Sequence, residues 1–305
     1  MEQESAQISF IIPAYNCMST LEEAVESIAN GNIEDGDEVI VVNDASTDDT
    51  GMIVEHLRQR HHFVRRIDHA INKGGAAARN TAVENAKNKI LFCLDADNVL
   101  NKNSVHQLKK FLLEHNADVA AFQDLWFFSD HKDAITHKWI FREGVTTMAD
   151  YLSGHVVPGA SGNYMFTKES WVRAGGYPEF AGALDAWGLG LRQVATGQKM
   201  MVMPDGGYYH RYGHESYWVR ESAKGRMSLT ALQIMIAFLD LMADQDVDYM
   251  MSAPGRYTWF EKLNERPIRI KGERQGRSGR VLDKRVHETT SSEGFLQRIR
   301  RRVSI

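Results

Sequence analysis

The tripeptide Asp95-Ala96-Asp97 carries the clearest chemistry in this sequence. In extended backbone, residues i and i+2 point to the same side. Two carboxylates at that spacing can therefore face one hard cation. Mg2+ and Mn2+ prefer oxygen ligands and share their coordination with substrate phosphates. A cation held here would neutralise a departing diphosphate. The same tripeptide also occurs as a solvated turn; its position after the apolar run KILFCL favours the functional reading. Asp44 follows another apolar run, EVIVV, and could accept a hydrogen bond from a base N–H or a ribose hydroxyl. Ser46 to Asp49 read equally well as the cap of the next helix. A third cluster, Asn72-Lys73-Gly74-Gly75, opens a helix containing Arg79. Paired glycines at a helix N-terminus make an anion site, and Arg79 offers a fork for phosphate. The plain alternative is a glycine turn with a surface arginine.

Strands and helices must bring these clusters together. The pattern predicts strands over 8–13, 38–42, 64–67 and 89–94, with helices over 19–29, 50–60 and 74–87 between them. Ser19 or Thr20 can cap the first helix. Continuous apolar strands alternating with helices imply a mainly parallel sheet covered on both faces. Ligands of such sheets bind beyond the carboxyl ends of the strands, where three polar clusters fall: Ala14-Tyr15-Asn16, Asn43-Asp44 and Asp95-Ala96-Asp97. Further on, the pattern predicts a helix over 103–114, strands over 118–128 and 161–166, a helix over 183–196 and a brief strand over 200–203. A strong helix over 226–242 follows, with a soft boundary near 255, after which the composition turns basic. The division expected is a catalytic domain over 1–220, a helical extension over 221–255 and a basic tail over 256–305.

The 305 residues are 43% hydrophobic and 25% charged, an ordinary soluble composition. The net charge of −4 gives no field for nucleic acid. Two cysteines, Cys17 and Cys93, exclude a disulfide framework and fit a cytoplasmic, reducing setting. No secretory leader and no membrane span is evident. From residue 266 onwards, twelve Lys or Arg face four Asp or Glu. The interleaved arginines and apolar residues of 294–305 suit peripheral contact with an anionic membrane surface, or with a partner.

The order ISFIIPAYN, VVNDASTDDT, NKGGAAARNTA, ILFCLDADN, then GNYMFTKESWVRAGGYPE, resembles glycosyltransferase family 2, over roughly residues 7–215. The resemblance implies a GT-A fold, a Rossmann-like sheet with a helical C-terminal extension. It also implies an inverting enzyme that takes a sugar from a nucleotide-sugar, with uracil the expected base, to a hydroxyl acceptor of a glycan or lipid-linked glycan. By position, Pro13, Tyr15 and Asp44 would border the base, and Gly75 and Arg79 the ribose and phosphate. Asp95 would touch ribose or metal-bound water, and Asp97 would bind Mn2+ or Mg2+. The family carries a Glu-Asp pair whose Asp is the general base. Here Leu184-Asp185 takes that place, so Asp185 is the candidate and the preceding Glu is missing. Alone, Asp185 reads as an N-terminal helix acid. In YYHRYGHESYW, His210 or His214 could complete the metal site, with His210 favoured, and Arg211 could meet phosphate; all three also read as loop residues. The Q-x-x-R-W motif of processive synthases is absent. The competing functions are a nucleotide-sugar-binding protein with impaired catalysis and, since the first strand lacks a Gly-rich phosphate loop, less readily a sugar nucleotidyltransferase.

Overall fold

A computed structural model describes residues 6–213 and 217–272. The strands are β1 (Ile8–Ala14), β2 (Glu38–Asn43), β3 (Val64–Asp68), β4 (Ile90–Cys93), β5 (Val99–Leu100), β6 (Val119–Phe128), β7 (Ile135–Ile140), β8 (Gly144–Thr146), β9 (Met165–Thr167) and β10 (Met200–Arg211). The helices are α1 (Leu21–Ala29), α2 (Thr50–Arg60), α3 (Gly75–Asn85), α4 (Ser104–Glu114), α5 (Met148–Tyr151), α6 (Lys168–Ala174), α7 (Asp185–Ala195), α8 (Tyr217–Ser222), α9 (Met227–Met235) and α10 (Asp244–Met251). The strands form one sheet in the order β3-β2-β1-β4-β9-β6-β10-β5, with β7 beside β6 and β8 beside β10. β1 runs parallel to β2 and β4, and β3 runs parallel to β2. The tips of β1, β2 and β4 therefore share one edge, as the alternation of strands and helices requires.

Side chains alternate across the sheet. Phe10, Ile12, Val39 and Val41 pack with α1, α2 and α4. Ile11, Ile40 and Val42 face the opposite layer, which holds α3, α6, α7 and α9. In α7, Gly190 permits a close approach, since a Cβ there would lie 2.1 Å from the Tyr151 hydroxyl. Its helix penalty of roughly 1 kcal/mol is offset by letting α7 sit close against that layer, which fixes Asp185 at the helix's first turn.

Several expectations need correction. The brief strand at 200–203 continues through a bulge between Met203 and Gly207 to Arg211. The strand expected over 161–166 is confined to Met165–Thr167. The long helix ends at Met235 and tightens into a 3-10 turn, Ile236–Leu241. The boundary near 255 does not match the packing: Trp259, Leu263 and Ile268 are buried in the same core as Trp187. Thr20 makes no side-chain cap bond at α1, and within Ser46 to Asp49 it is Asp48, not Asp49, whose Oδ1 accepts the Thr50 amide at the start of α2, at 3.0 Å. His214 and the segment 294–305 lie outside the described residues. Among the described residues, no helix is long and apolar enough to cross a membrane.

Candidate active site

Side chains tie the tips of β1 and β2 together. Asn16 and Ala45 both hold left-handed backbone, at φ 48° and 56°. Such conformations cost non-glycine residues roughly 1–3 kcal/mol and persist where the surroundings enforce them. Here the Thr47 amide donates to Asn16 Oδ1 at 2.8 Å, and the Asn16 amide to Ser46 Oγ at 3.1 Å. Ser46 and Thr47 thus join the two tips and do not cap α2. Tyr15 is 48% exposed at this rim, and Pro13 is partly buried behind it.

Asp44 does more than its sequence position implies. Its carboxylate is buried and accepts from the Lys73 amide at 2.9 Å and the Gly74 amide at 2.7 Å. His69 Nδ1 stands 2.6 Å from it, while His69 Nε2 faces the Thr81 hydroxyl at 3.0 Å. A carboxylate has about four acceptor sites, and these contacts take three of them. Asp44 therefore anchors the loop that leads into α3.

Arg79 differs most from expectation. It does not present its fork to an incoming phosphate. Nη2 pairs with Asp95 at 2.5 Å and Nη1 with Asp185 at 2.6 Å. Only Nε is left without a partner, and it is buried. Burial works against the charge of Arg79, but Asp185 and Asp95 outweigh it and hold the pKa above the usual arginine value. Burial raises the Asp185 carboxyl, with Arg79 opposing the shift. The Ala186 amide donates to Asp185 Oδ1 at 2.6 Å. One guanidinium thus joins the tip of β4 to the first turn of α7. Gly75 makes room for this bridge, since a Cβ there would lie 2.9 Å from Arg79 Nη1. Gly75→Ala is expected to destabilise by about 1–3 kcal/mol despite Ala's better helix propensity, because an overpacked site must shift a paired group. Urea unfolding measures this; a neutral or stabilised variant would mean that the bridge yields freely.

Asn98 and Asn163 lie inside the ILFCLDADN and GNYMF motifs, but their residue type and spacing do not single them out. Asn163 is buried; its Oδ1 accepts the Asp95 amide at 2.6 Å, and its Nδ2 donates to Asp95 Oδ2 at 3.1 Å and Tyr208 Oη at 3.2 Å. Tyr208 Oη and Asn98 Nδ2 each lie 3.4 Å from His210 Nδ1. Polar contacts thus run from Asp185 through Arg79, Asp95, Asn163 and Tyr208 to His210. Arg211 is not free for phosphate: it pairs with Glu23 at 2.6 Å and donates to the Asp97 carbonyl at 3.1 Å. A depression of about 450 Å3 beside α1 and α2, lined in part by Glu22, His56 and Arg60, includes none of the candidate residues.

Asp97 is placed differently from Asp95. No ion pair involves it among the described residues, and burial together with Asp95 pushes its pKa up to about 7. A carboxylate near a second carboxylate and without an ion pair of its own, with Arg211 and Arg79 only partly opposing the shift, suits a hard metal ion. Among the described residues, no three His, Cys, Asp or Glu side chains gather to hold a metal. The donor set therefore fits an ion that brings most of its ligands with it, as Mg2+ or Mn2+ does on a diphosphate.

The glycosyl transferase family 2 model matches residues 9–175, more than half of the chain. The match includes Asp44, Gly75, Arg79, Asp95, Asp97 and Asn163, and stops short of Asp185 and His210. GlyG, a glycosyltransferase of Streptococcus pneumoniae serotype 4, is 35% identical over 116 residues, 38% of this chain and 38% of GlyG. The poly(ribitol-phosphate) beta-N-acetylglucosaminyltransferase TarS of Staphylococcus aureus is 33% identical over 116 residues, 37% of this chain and 20% of TarS. The matched part is thus well under half of either relative. Among solved structures, S. aureus TarS 1-349 in complex with UDP-GlcNAc aligns with a TM-score of 0.64 at 21% identity, over 85% of this chain and 74% of that one. The mannosyltransferase PcManGT from Pyrobaculum calidifontis, in complex with GDP-Man and Mn2+, gives 0.54 at 19% identity, over 84% and 68%. At such identities these two alignments speak for the GT-A fold alone. The family match supplies what they do not, and with it this chain belongs to glycosyl transferase family 2.

Proposed function

We propose that this chain is an inverting, non-processive glycosyltransferase that moves a sugar from a UDP-sugar to a hydroxyl of a glycan or lipid-linked glycan. The observation that carries the reading is the shared guanidinium: Arg79 joins the donor-side Asp95 to Asp185, 106 residues further along the chain. In this reading Asp185 stands across the anomeric carbon from the departing diphosphate, where an acceptor hydroxyl must arrive. In the single displacement, Asp185 takes the hydroxyl proton as that oxygen bonds to the anomeric carbon and the bond to the diphosphate breaks. Tyr15 and the remaining acceptor site of Asp44 border the base, Pro13 backs Tyr15, and Gly75 at the start of α3 lies near the phosphates. The nucleotide-sugars named with TarS and PcManGT, and the Mn2+ named with PcManGT, agree with this reading. A Mn2+ or Mg2+ ion beside Asp97 would neutralise charge on the departing diphosphate.

Thermal shift and calorimetry with UDP-, GDP- and dTDP-sugars, with and without Mn2+, test the donor. Product analysis by NMR tests the inversion. Asp97→Ala is expected to abolish the Mn2+ dependence of UDP binding while leaving the melting temperature close to wild type, since no ion pair is lost. A mutant whose Mn2+-dependent affinity matches wild type would remove Asp97 from the metal site.

A further inference from the structure

His210 entered the metal site on sequence grounds, yet its neighbours orient the ring for a different task. Asn98 is fully buried, and the Arg211 amide donates to its Oδ1 at 2.8 Å. A backbone N–H can only donate, so the side-chain amide is oriented and Nδ2 is the atom facing His210 Nδ1 at 3.4 Å. The Tyr208 hydroxyl stands at 3.4 Å from the same ring nitrogen. Its oxygen lies 3.2 Å from Asn163 Nδ2, which also donates to the Ser161 carbonyl and Asp95 Oδ2, and the Ser161 hydroxyl is a second acceptor for its proton. Asn98 Nδ2 is thus a fixed donor facing Nδ1. A neutral imidazole with its lone pair at Nδ1 carries its proton on Nε2. Burial keeps the ring neutral, against the pull of Asp95.

A histidine that binds metal through Nε2 needs the other tautomer, with Nδ1–H donating to a carboxylate or carbonyl. That tautomer would set Nδ1–H against the Nδ2–H of Asn98. Among the described residues, no three His, Cys, Asp or Glu side chains gather to hold an ion, so an ion that arrives on a diphosphate beside Asp97 does not require His210 as a ligand. We propose that His210 serves the bound nucleoside diphosphate as an Nε2–H donor to a phosphate oxygen and is not a metal ligand. This rests on the reading that a metal–diphosphate binds beside Asp97. A neutral donor meets charge growing on the leaving group without itself gaining or losing a proton.

The test uses the full chain with Mn2+ and UDP. Electron spin echo spectroscopy of the wild-type Mn2+·UDP complex is expected to show no directly bound imidazole nitrogen. His210→Phe keeps the ring shape and removes the donor. Its UDP affinity at saturating Mn2+ is expected to fall about tenfold or more, as for a hydrogen bond to a charged group. Its Mn2+ affinity should stay within about threefold, a difference of less than 1 kcal/mol. His210→Gln, which can again offer an N–H, should recover UDP affinity. A nitrogen coupling present in wild type and lost in His210→Gln would overturn the proposal and leave the glycosyltransferase reading standing. So would a fall in Mn2+ affinity beyond tenfold in His210→Phe. A wild-type protein that binds no Mn2+·UDP overturns the parent reading, and this one with it.

Discussion

Asp185→Asn is expected to lose transfer by about a hundredfold to ten-thousandfold, the usual contribution of a positioned base, while retaining donor binding. The substitution keeps the shape of the side chain but cannot satisfy both neighbours. Oδ1 accepts the Ala186 amide and Oδ2 accepts Arg79. An Asn must set its NH2 against one of these donors, a cost of roughly 1–3 kcal/mol that leaves the fold intact. Arg79 keeps Asp95 as its counter-charge. Calorimetry with UDP and Mn2+ and a transfer assay separate the two effects, and wild-type transfer in the variant would remove Asp185 from the mechanism. The pH profile makes the same assignment independently. Burial raises the Asp185 carboxyl above the ordinary Asp range even with Arg79 opposing it. A base must be ionised, so transfer falls as the pH drops through that raised value. At saturating Mn2+, where the ion keeps Asp97 ionised, the acidic limb of kcat/KM should therefore lie above the range of a free carboxylate and be absent from the residual activity of Asp185→Asn.

The fold was largely legible in the first half of the chain because apolar runs and helical spacing there are regular. β1, β2, β4, α1, α2, α3 and α4 fall within two or three residues of their expected bounds. β10 was cut short because Pro204-Asp205-Gly206-Gly207 reads as a turn; the structure absorbs it as a bulge, with Asp205 left-handed at φ 57°. β7 escaped notice because ITHKWI is an exposed strand with mixed polarity, so periodicity finds no buried face. At the candidate site, residue types were readable and partners were not. Asp44, Asp95 and Asp97 sit on one sheet edge because parallel strands put them there. Spacing carries no information on a pair 106 residues apart, so Arg79 read as a phosphate ligand. Asn98 and Asn163 are turn-type residues in any sequence, and only burial shows that their amides orient charged and aromatic neighbours.

The bridge that sequence missed has the larger consequence for stability. Arg79→Ala leaves Asp95 and Asp185 without their cation, with side chains 24% and 8% exposed. Removing one partner of a buried ion pair costs about 3–5 kcal/mol, because the other charge stays buried and uncompensated. That is a large share of the roughly 5–15 kcal/mol that holds a domain folded. Urea unfolding should show a matching fall, and Mn2+·UDP binding should weaken because Asp95 loses the partner that orients it. A double-mutant cycle gives the sharper result. In the Arg79→Ala background, Asp185→Asn removes an unpaired carboxylate instead of a paired one. It should then stabilise the protein, although in the wild-type background it destabilises. This reversal of sign is a coupling energy between the two sites. Simple additivity across the cycle would mean that the guanidinium and Asp185 do not share a charge-neutralising contact, and the link between donor side and base would have to be abandoned.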